Sequence, residues 1–343
     1  MVNVGVIGCG KIAQTRHLPE YADNPDVNIV ALYDFNVDRA KELAGKYNAK
    51  VYESYQELLD DPGIDAVSVC VRNSDHCAIS IDAMKAGKHV LCEKPMAVSL
   101  EECIKMVEAS EKYNRFLMIG QNQRLSKAHV KAKELIQSGM LGKVLTYKTN
   151  FGHGGPETWT VDQKDVWFFD KSLSAFGALA DLGVHKTDLV TYLLDSPVKK
   201  VTAVLKTLDK KDAEGNPITV DDNSICIYEM ENGVVGTMTA SWTYYGAEDN
   251  STVIYGTNGM MRIYDDPEYS IVVTLKDGSQ VLYDIDRIQT NDNQTKSGII
   301  DAWVESLVEN KEPEISGKSV LSSMKAIFAA LESSKSNTTV VIE

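Results

Sequence analysis

Residues 2–13 read VNVGVIGCGKIA. Val2, Val4, Val6 and Ile7 form an apolar, β-branched run that predicts a buried strand. Gly8-Cys9-Gly10-Lys11-Ile12-Ala13 follows directly and fits G-x-G-x-x-A, the turn that opens a helix after a strand. Gly8 allows the tight turn, Gly10 lets the backbone approach a pyrophosphate, and Ala13 lets helix and strand pack closely. The helix N-terminus then offers N–H groups and a positive dipole end to phosphates. A second strand, 28–33, ends in Asp34, about 20 residues past the glycines, where a carboxylate can accept the adenosine ribose hydroxyls. Phe35 and Asn36 come next, so no basic residue stands there for a 2′-phosphate; Arg39 lies one helical turn on. The combination favours NAD over NADP.

The 343 residues carry a net charge of −14, with 43% hydrophobic and 24% charged residues. That is ordinary globular composition, with length for about two domains. The acidic balance argues against nucleic acid or an anionic membrane surface as partner. No apolar run reaches the roughly 18 residues of a membrane span, and no secretory leader is evident. Cys9, Cys70, Cys77, Cys92, Cys103 and Cys226 show no C-x-x-C spacing and read as small core residues of a reducing cytoplasm.

From residue 1 to 122, predicted strands at 2–7, 28–33, 66–71, 89–92 and 116–119 alternate with helical patterns. Such alternation predicts an α/β Rossmann dinucleotide-binding domain, with ligand beyond the carboxyl ends of the strands. The candidate cofactor contacts are therefore Gly8, Gly10, Lys11, Ile12, Asp34, Arg39, Arg72, Asn73, Glu93, Lys94 and Gln121. Residues 123–343 read differently. A helix at 128–138 leads to a strand at 144–150, an irregular Gly- and aromatic-rich segment at 151–176, and a helix at 178–194. Apolar or alternating strands follow, with hairpin turns at Asn232-Gly233, Asn258-Gly259 and Asp277-Gly278. This half predicts an α+β substrate-binding and oligomerisation domain built on an open, largely antiparallel sheet.

Two constellations carry chemistry. Glu93-Lys94-Pro95 ends the strand at 89–92, and Pro95 biases Lys94 toward an extended backbone. A lysine there suits donation to a substrate oxygen that gains negative charge, although position alone fits a solvated lysine equally. Asp181-Leu182-Gly183-Val184-His185-Lys186-Thr187-Asp188 is the second. At helical spacing Asp181, His185 and Asp188 share a face. The histidine suits a general base and Asp181 an orienting group; a satisfied core histidine and a metal pair are the competing readings. No further ligand cluster accompanies the pair, so no metal is expected. His153, in a glycine-rich loop, is a candidate substrate contact. Trp159, Trp167, Phe168, Phe169 and Tyr244 could form a sugar-stacking wall or simply pack.

Taken together, VGVIGCGKIA, AGKHVLCEKP at 86–95, GMLGKV at 139–144 and GALADLGVHKTD at 177–188 resemble the Gfo/Idh/MocA oxidoreductases, which include glucose–fructose oxidoreductases and inositol dehydrogenases. The resemblance spans essentially the whole chain. It implies NAD(P)-dependent oxidation or reduction of a sugar or polyol hydroxyl. It also implies His185 as proton acceptor, Lys94 beside the nicotinamide ribose and reacting oxygen, and Asp181 as substrate positioner. By the same resemblance, Asn73, His76 and Arg124 join the cofactor side, and the open sheet makes a homodimer or homotetramer. Two departures stand out. Trp167-Phe168 replaces the Trp-Arg of many relatives, and Ala175-Phe176-Gly177 reduces a glycine run, so Phe176 is expected to reshape the pocket. Two other readings share these residues: a glycosidase-like enzyme that recycles NAD within each turnover, and a non-catalytic sugar or cofactor sensor.

Overall fold

The molecule, described by a computed structural model over residues 1–161, 166–288 and 296–343, is built on two sheets. The first has six strands: β1 (Val2–Ile7), β2 (Val27–Tyr33), β3 (Lys50–Val51), β4 (Ala66–Val69), β5 (His89–Cys92) and β6 (Leu117–Ile119). Their order is 3-2-1-4-5-6, all parallel. Val4, Val6, Ile7, Val67, Val90 and Leu91 are fully buried, which is why these strands read as continuous apolar runs. The short edge strand β3 carries no apolar run and is absent from the sequence reading. The order reverses between β1 and β4, where a doubly wound sheet opens its ligand crevice.

The second sheet has nine strands: β7 (Val144–Gly152), β8 (Val198–Lys206), β9 (Asn223–Met230), β10 (Val235–Ser241), β11 (Thr252–Gly256), β12 (Gly259–Ile263), β13 (Ile271–Leu275), β14 (Gln280–Tyr283) and β15 (Val340–Val341). The order is 14-13-12-11-7-10-9-8-15. All neighbours are antiparallel except β7 and β10, which pair in parallel, so the sheet is mixed. One face packs on the helix Val184–Leu194 and on Gly317–Ser336. The other face leaves Val204, Ile225, Ile227 and Val235 exposed, among threonines, lysines and a glutamate.

The chain returns to the first half near its end. Ile119 N donates to Ile315 O at 3.0 Å, and Glu20 takes both the N–H and the hydroxyl of Ser297. The helix expected over 178–194 is not uniform: a π-turn over Leu179–Gly183 runs into the α-helix Val184–Leu194. Residues 162–165 of the aromatic segment lie outside the described residues. Among the described residues, no helix is long and apolar enough to cross a membrane.

Candidate active site

One cleft of 640 Å³ runs from the Gly8 turn to the π-turn. Its cofactor end follows from the fingerprint. Gly8 has φ +94, and a Cβ on it would run into the carbonyl oxygen of Cys70, so only glycine fits the turn. A Cβ position on Gly10 meets nothing within 4 Å, which leaves the backbone open to the cleft. Asp34 lines the cleft and is held from below: Oδ2 accepts from Cys9 N at 2.6 Å and Oδ1 from Asn36 N at 2.8 Å. Arg39 Nη1 lies 3.8 Å from Asp34 Oδ1. Lys11, Ile12, Arg72, Asn73 and Glu93 also line the cleft. The backbone and residues present therefore fit a dinucleotide, with the glycine turn for its phosphates and Asp34 for a ribose.

At the other end stand Lys94, Asp181, His185 and His153. Lys94 Nζ donates to Asp181 Oδ1 at 2.8 Å and to the Asp181 carbonyl at 2.9 Å. Trp242 Nε1 donates to Asp181 Oδ2 at 3.0 Å, and His153 Nε2 lies 3.9 Å from the same oxygen. Burial pushes the Asp181 carboxyl up, but Lys94, His153 and Trp242 outweigh it and hold the group below the ordinary carboxylate range. Burial, reinforced by the charge of Lys94, pushes His185 well below the ordinary imidazole value, so its ring is neutral near pH 7. His185 Nδ1 is buried and has no hydrogen-bond partner among the described residues. His153 is also lowered, by burial first, and its Nδ1 accepts from Gly155 N at 3.0 Å, which leaves Nε2 to carry the proton toward Asp181.

Behind Lys94 sits a relay that sequence patterning does not reveal. Glu93 Oε2 accepts from Lys94 N at 3.2 Å, while Oε1 takes His17 Nε2 at 2.9 Å. His17 Nδ1 continues to Ser68 Oγ at 3.0 Å, and Tyr21 OH to the same oxygen at 2.7 Å. Burial would raise Glu93, but His17, Arg16 and Lys94 bring it down to about 2. The Lys94–Pro95 peptide is cis.

The structure places several of the expected residues away from the cleft wall. Arg124 does not line the cleft: its guanidinium forms a buried two-pronged pair with Asp188, Nε to Oδ2 at 2.6 Å and Nη2 to Oδ1 at 2.5 Å. Asp188 is thereby taken up by Arg124 and Ser323, while Asp181, on the π-turn, is held by Lys94 and Trp242. His76 is buried beneath the cleft, with Nδ1 2.7 Å from Pro95 O and Nε2 3.2 Å from Val71 O; the single N–H of the neutral ring suits the nearer Pro95 carbonyl, so it braces the Lys94–Pro95 turn. Gln121 is buried and also off the cleft wall. Phe176 is core, its ring 5.8 Å from Phe328, and does not shape the cleft.

Of the aromatic group, Trp159, Trp167 and Phe168 line the cleft. Trp167 stacks on Phe168 at 3.9 Å and Trp159 meets Phe168 edge-on. Phe169 packs on Trp242, and Tyr244 lies over Gly152. Phe151 joins the wall, its ring 6.0 Å from that of His185 and 5.9 Å from that of His153. Trp242 and Glu93's partner His17 are the principal residues the sequence reading missed. A lone Trp 61 residues beyond Asp181 and a lone His 76 residues before Glu93 leave no spacing signal.

Comparison with known proteins agrees with this architecture. The model of an oxidoreductase family with an NAD-binding Rossmann fold matches residues 2–121, and a GFO/IDH/MocA C-terminal domain model matches residues 129–262. Myo-inositol 2-dehydrogenase of Thermotoga maritima is 28% identical over 289 residues, 82% of either chain. Levoglucosan dehydrogenase of Pseudarthrobacter phenanthrenivorans is 30% identical over 287 residues, 75% of this chain and 72% of that one. The structure of a levoglucosan dehydrogenase in complex with NADH superposes with a TM-score of 0.87 at 25% identity, over 100% of this chain and 99% of the other. With both domain models matched in order along one polypeptide, the chain belongs to the Gfo/Idh/MocA oxidoreductase family.

Proposed function

We propose that the protein is an NAD-dependent dehydrogenase acting on a secondary hydroxyl of a sugar, glycoside or inositol. The observation that carries this reading is the neutral, buried His185 beside a Lys94–Asp181 pair at the end of a dinucleotide cleft. A bound nicotinamide would supply the acceptor for the hydrogen leaving carbon. The chain's own residues do the rest. His185 takes the hydroxyl proton, and its neutral state below pH 7 keeps it competent as a base. Lys94, fixed by Asp181, directs its third N–H at the reacting oxygen and stabilises charge that develops there. Trp242 and His153 keep Asp181 in place, and the wall of Trp159, Trp167, Phe168 and Phe151 offers flat apolar faces to a ring while excluding water.

The preference for NAD over NADP rests on Asp34, whose carboxylate would repel a 2′-phosphate, with Arg39 already 3.8 Å from it. Copies associate through the open face of the nine-stranded sheet, where Val204, Ile225, Ile227 and Val235 are exposed. Absorbance of NADH, followed with NAD or NADP and a panel of inositols, free sugars and simple glycosides, tests the reading. Reduction of NAD by one substrate class is expected. Tight NADH binding with no net reduction by any of them would overturn it in favour of internal recycling or sensing.

A further inference from the structure

The π-turn that bears Asp181 starts without a cap from its own sequence, since Ala178 precedes it. The N–H groups exposed there are met from 44 residues away. Asp221 Oδ1 accepts from Gly177 N at 2.7 Å, and Oδ2 from Leu179 N at 2.9 Å and from Ser224 Oγ at 2.8 Å. Its carbonyl accepts from Ala178 N at 2.8 Å. Three consecutive N–H groups at the helix start thus converge on one buried residue. Gly177 is required there because a Cβ would run into the Asp221 carbonyl.

The next residue holds the opposite side of the same group. Asp222 Oδ1 accepts from Leu208 N at 2.7 Å, and Oδ2 from Asp209 N and Lys210 N, each at 2.8 Å. Its carbonyl takes Trp242 N at 2.8 Å, and Trp242 is the side chain that holds Asp181 Oδ2. Lys210, set by these contacts, donates to Gly154 O at 2.5 Å and pairs with Glu157, on the loop that carries His153. The start of the turn that bears Asp181, and both Trp242 and the His153 loop beside its carboxylate, therefore lead back to two adjacent residues.

Building on the dehydrogenase reading, we propose that Asp221 and Asp222 are positioning residues for the acid–base group. Asp221 sets the start of the turn that aims Asp181 and His185. Asp222 sets Trp242 and the His153 loop against them. Neither lines the cleft, so both act through other residues. The groups that face His185 are Lys94, Asp181, Arg16 and Glu93, with the Phe151 ring beside it. Loosening the turn admits water to this cluster and relaxes the imidazole toward its ordinary value.

The test uses Asp221→Asn, which keeps size but sets an amide N–H against a backbone N–H. Asp222→Asn is the companion, and Ser224→Ala is a milder variant that removes one bond should the first fail to fold. The number of NADH sites is titrated first, and kcat is expressed per site. The expected result for Asp221→Asn is a loss of about tenfold to a hundredfold in kcat per site, the scale of a small misplacement of reacting groups. NADH affinity stays unchanged, and the acid limb of kcat/KM moves up toward pH 6.5. Ser224→Ala moves both in the same direction by less. Lower yield with unchanged kcat per site and an unchanged acid limb would reduce the pair to scaffolding. If the wild-type protein oxidises no substrate, the dehydrogenase reading fails by itself. The His185 ring titration, read by NMR of isotope-labelled histidine, still decides the positioning claim: an upward move in Asp221→Asn supports it and no move overturns it.

Discussion

Lys94 Nζ sits 2.8 Å from Asp181 Oδ1 and 2.9 Å from the carbonyl of the same residue, so one aspartate grips the lysine through both backbone and side chain. That double grip joins the end of β5 to the π-turn across the cleft. It fixes where the third N–H of Lys94 points. Lys94→Ala and His185→Ala should each lower turnover at least about a hundredfold, the scale of oxyanion and general-base contributions. Steady-state kinetics at saturating cofactor checks both. NADH affinity should be little changed in His185→Ala, because the ring lies at the substrate end; near-normal turnover in either variant would remove its assigned role.

Asp34 is already committed to two backbone N–H groups, at Cys9 and Asn36. Its outward lone pairs are what a ribose would use. Asp34→Ala should therefore weaken NAD binding and leave NADP binding equal or improved, since a negative charge is removed beside Arg39. Fluorescence titration with both reduced cofactors reads the ratio, and equal losses would undo the ribose assignment.

Arg124 and Asp188 form a buried, two-pronged ion pair backed by Ser319 and Ser323. Arg124→Met leaves a buried carboxylate without its partner, a change that costs on the order of 3–5 kcal/mol. Denaturant unfolding should show that loss. NADH affinity per folded molecule should be unchanged, which separates a structural pair from a cofactor contact.

Acid stability should be poor. Burial pushes His76, His153 and His185 down, and takes His89 to about 4 and His129 to about 3. The unfolded chain binds protons at these sites from about pH 6.5 downward, while the folded protein does not. The unfolded state is thus favoured increasingly as pH falls below 6.5, and the slope persists to about pH 4 or lower. Lys186, fully buried and lowered to about 7, adds a gain of stability between about pH 7 and 10. Thermal melting from pH 8 to pH 4 should show Tm falling steadily below pH 6.5; a flat profile would contradict the neutral buried histidines.

The sequence by itself determined the parallel half and the identity of the central group. Local chemistry is enough for that: glycines that must turn, an aspartate after the second strand, a lysine before a proline, and the Asp181–His185 spacing. Tertiary structure decided the rest, because contacts across tens of residues leave no periodic trace. It sent Arg124 to Asp188, put His76 under the Lys94–Pro95 turn, and brought Trp242, His17 and Asp221 to the site. It also broke the regular helix at Leu179–Gly183, where a residue's face depends on turn width as well as spacing. Residue types and short spacings are properties of the chain. The side chain that satisfies a buried donor or charge is chosen by packing, since each such group must find a partner wherever the fold places one.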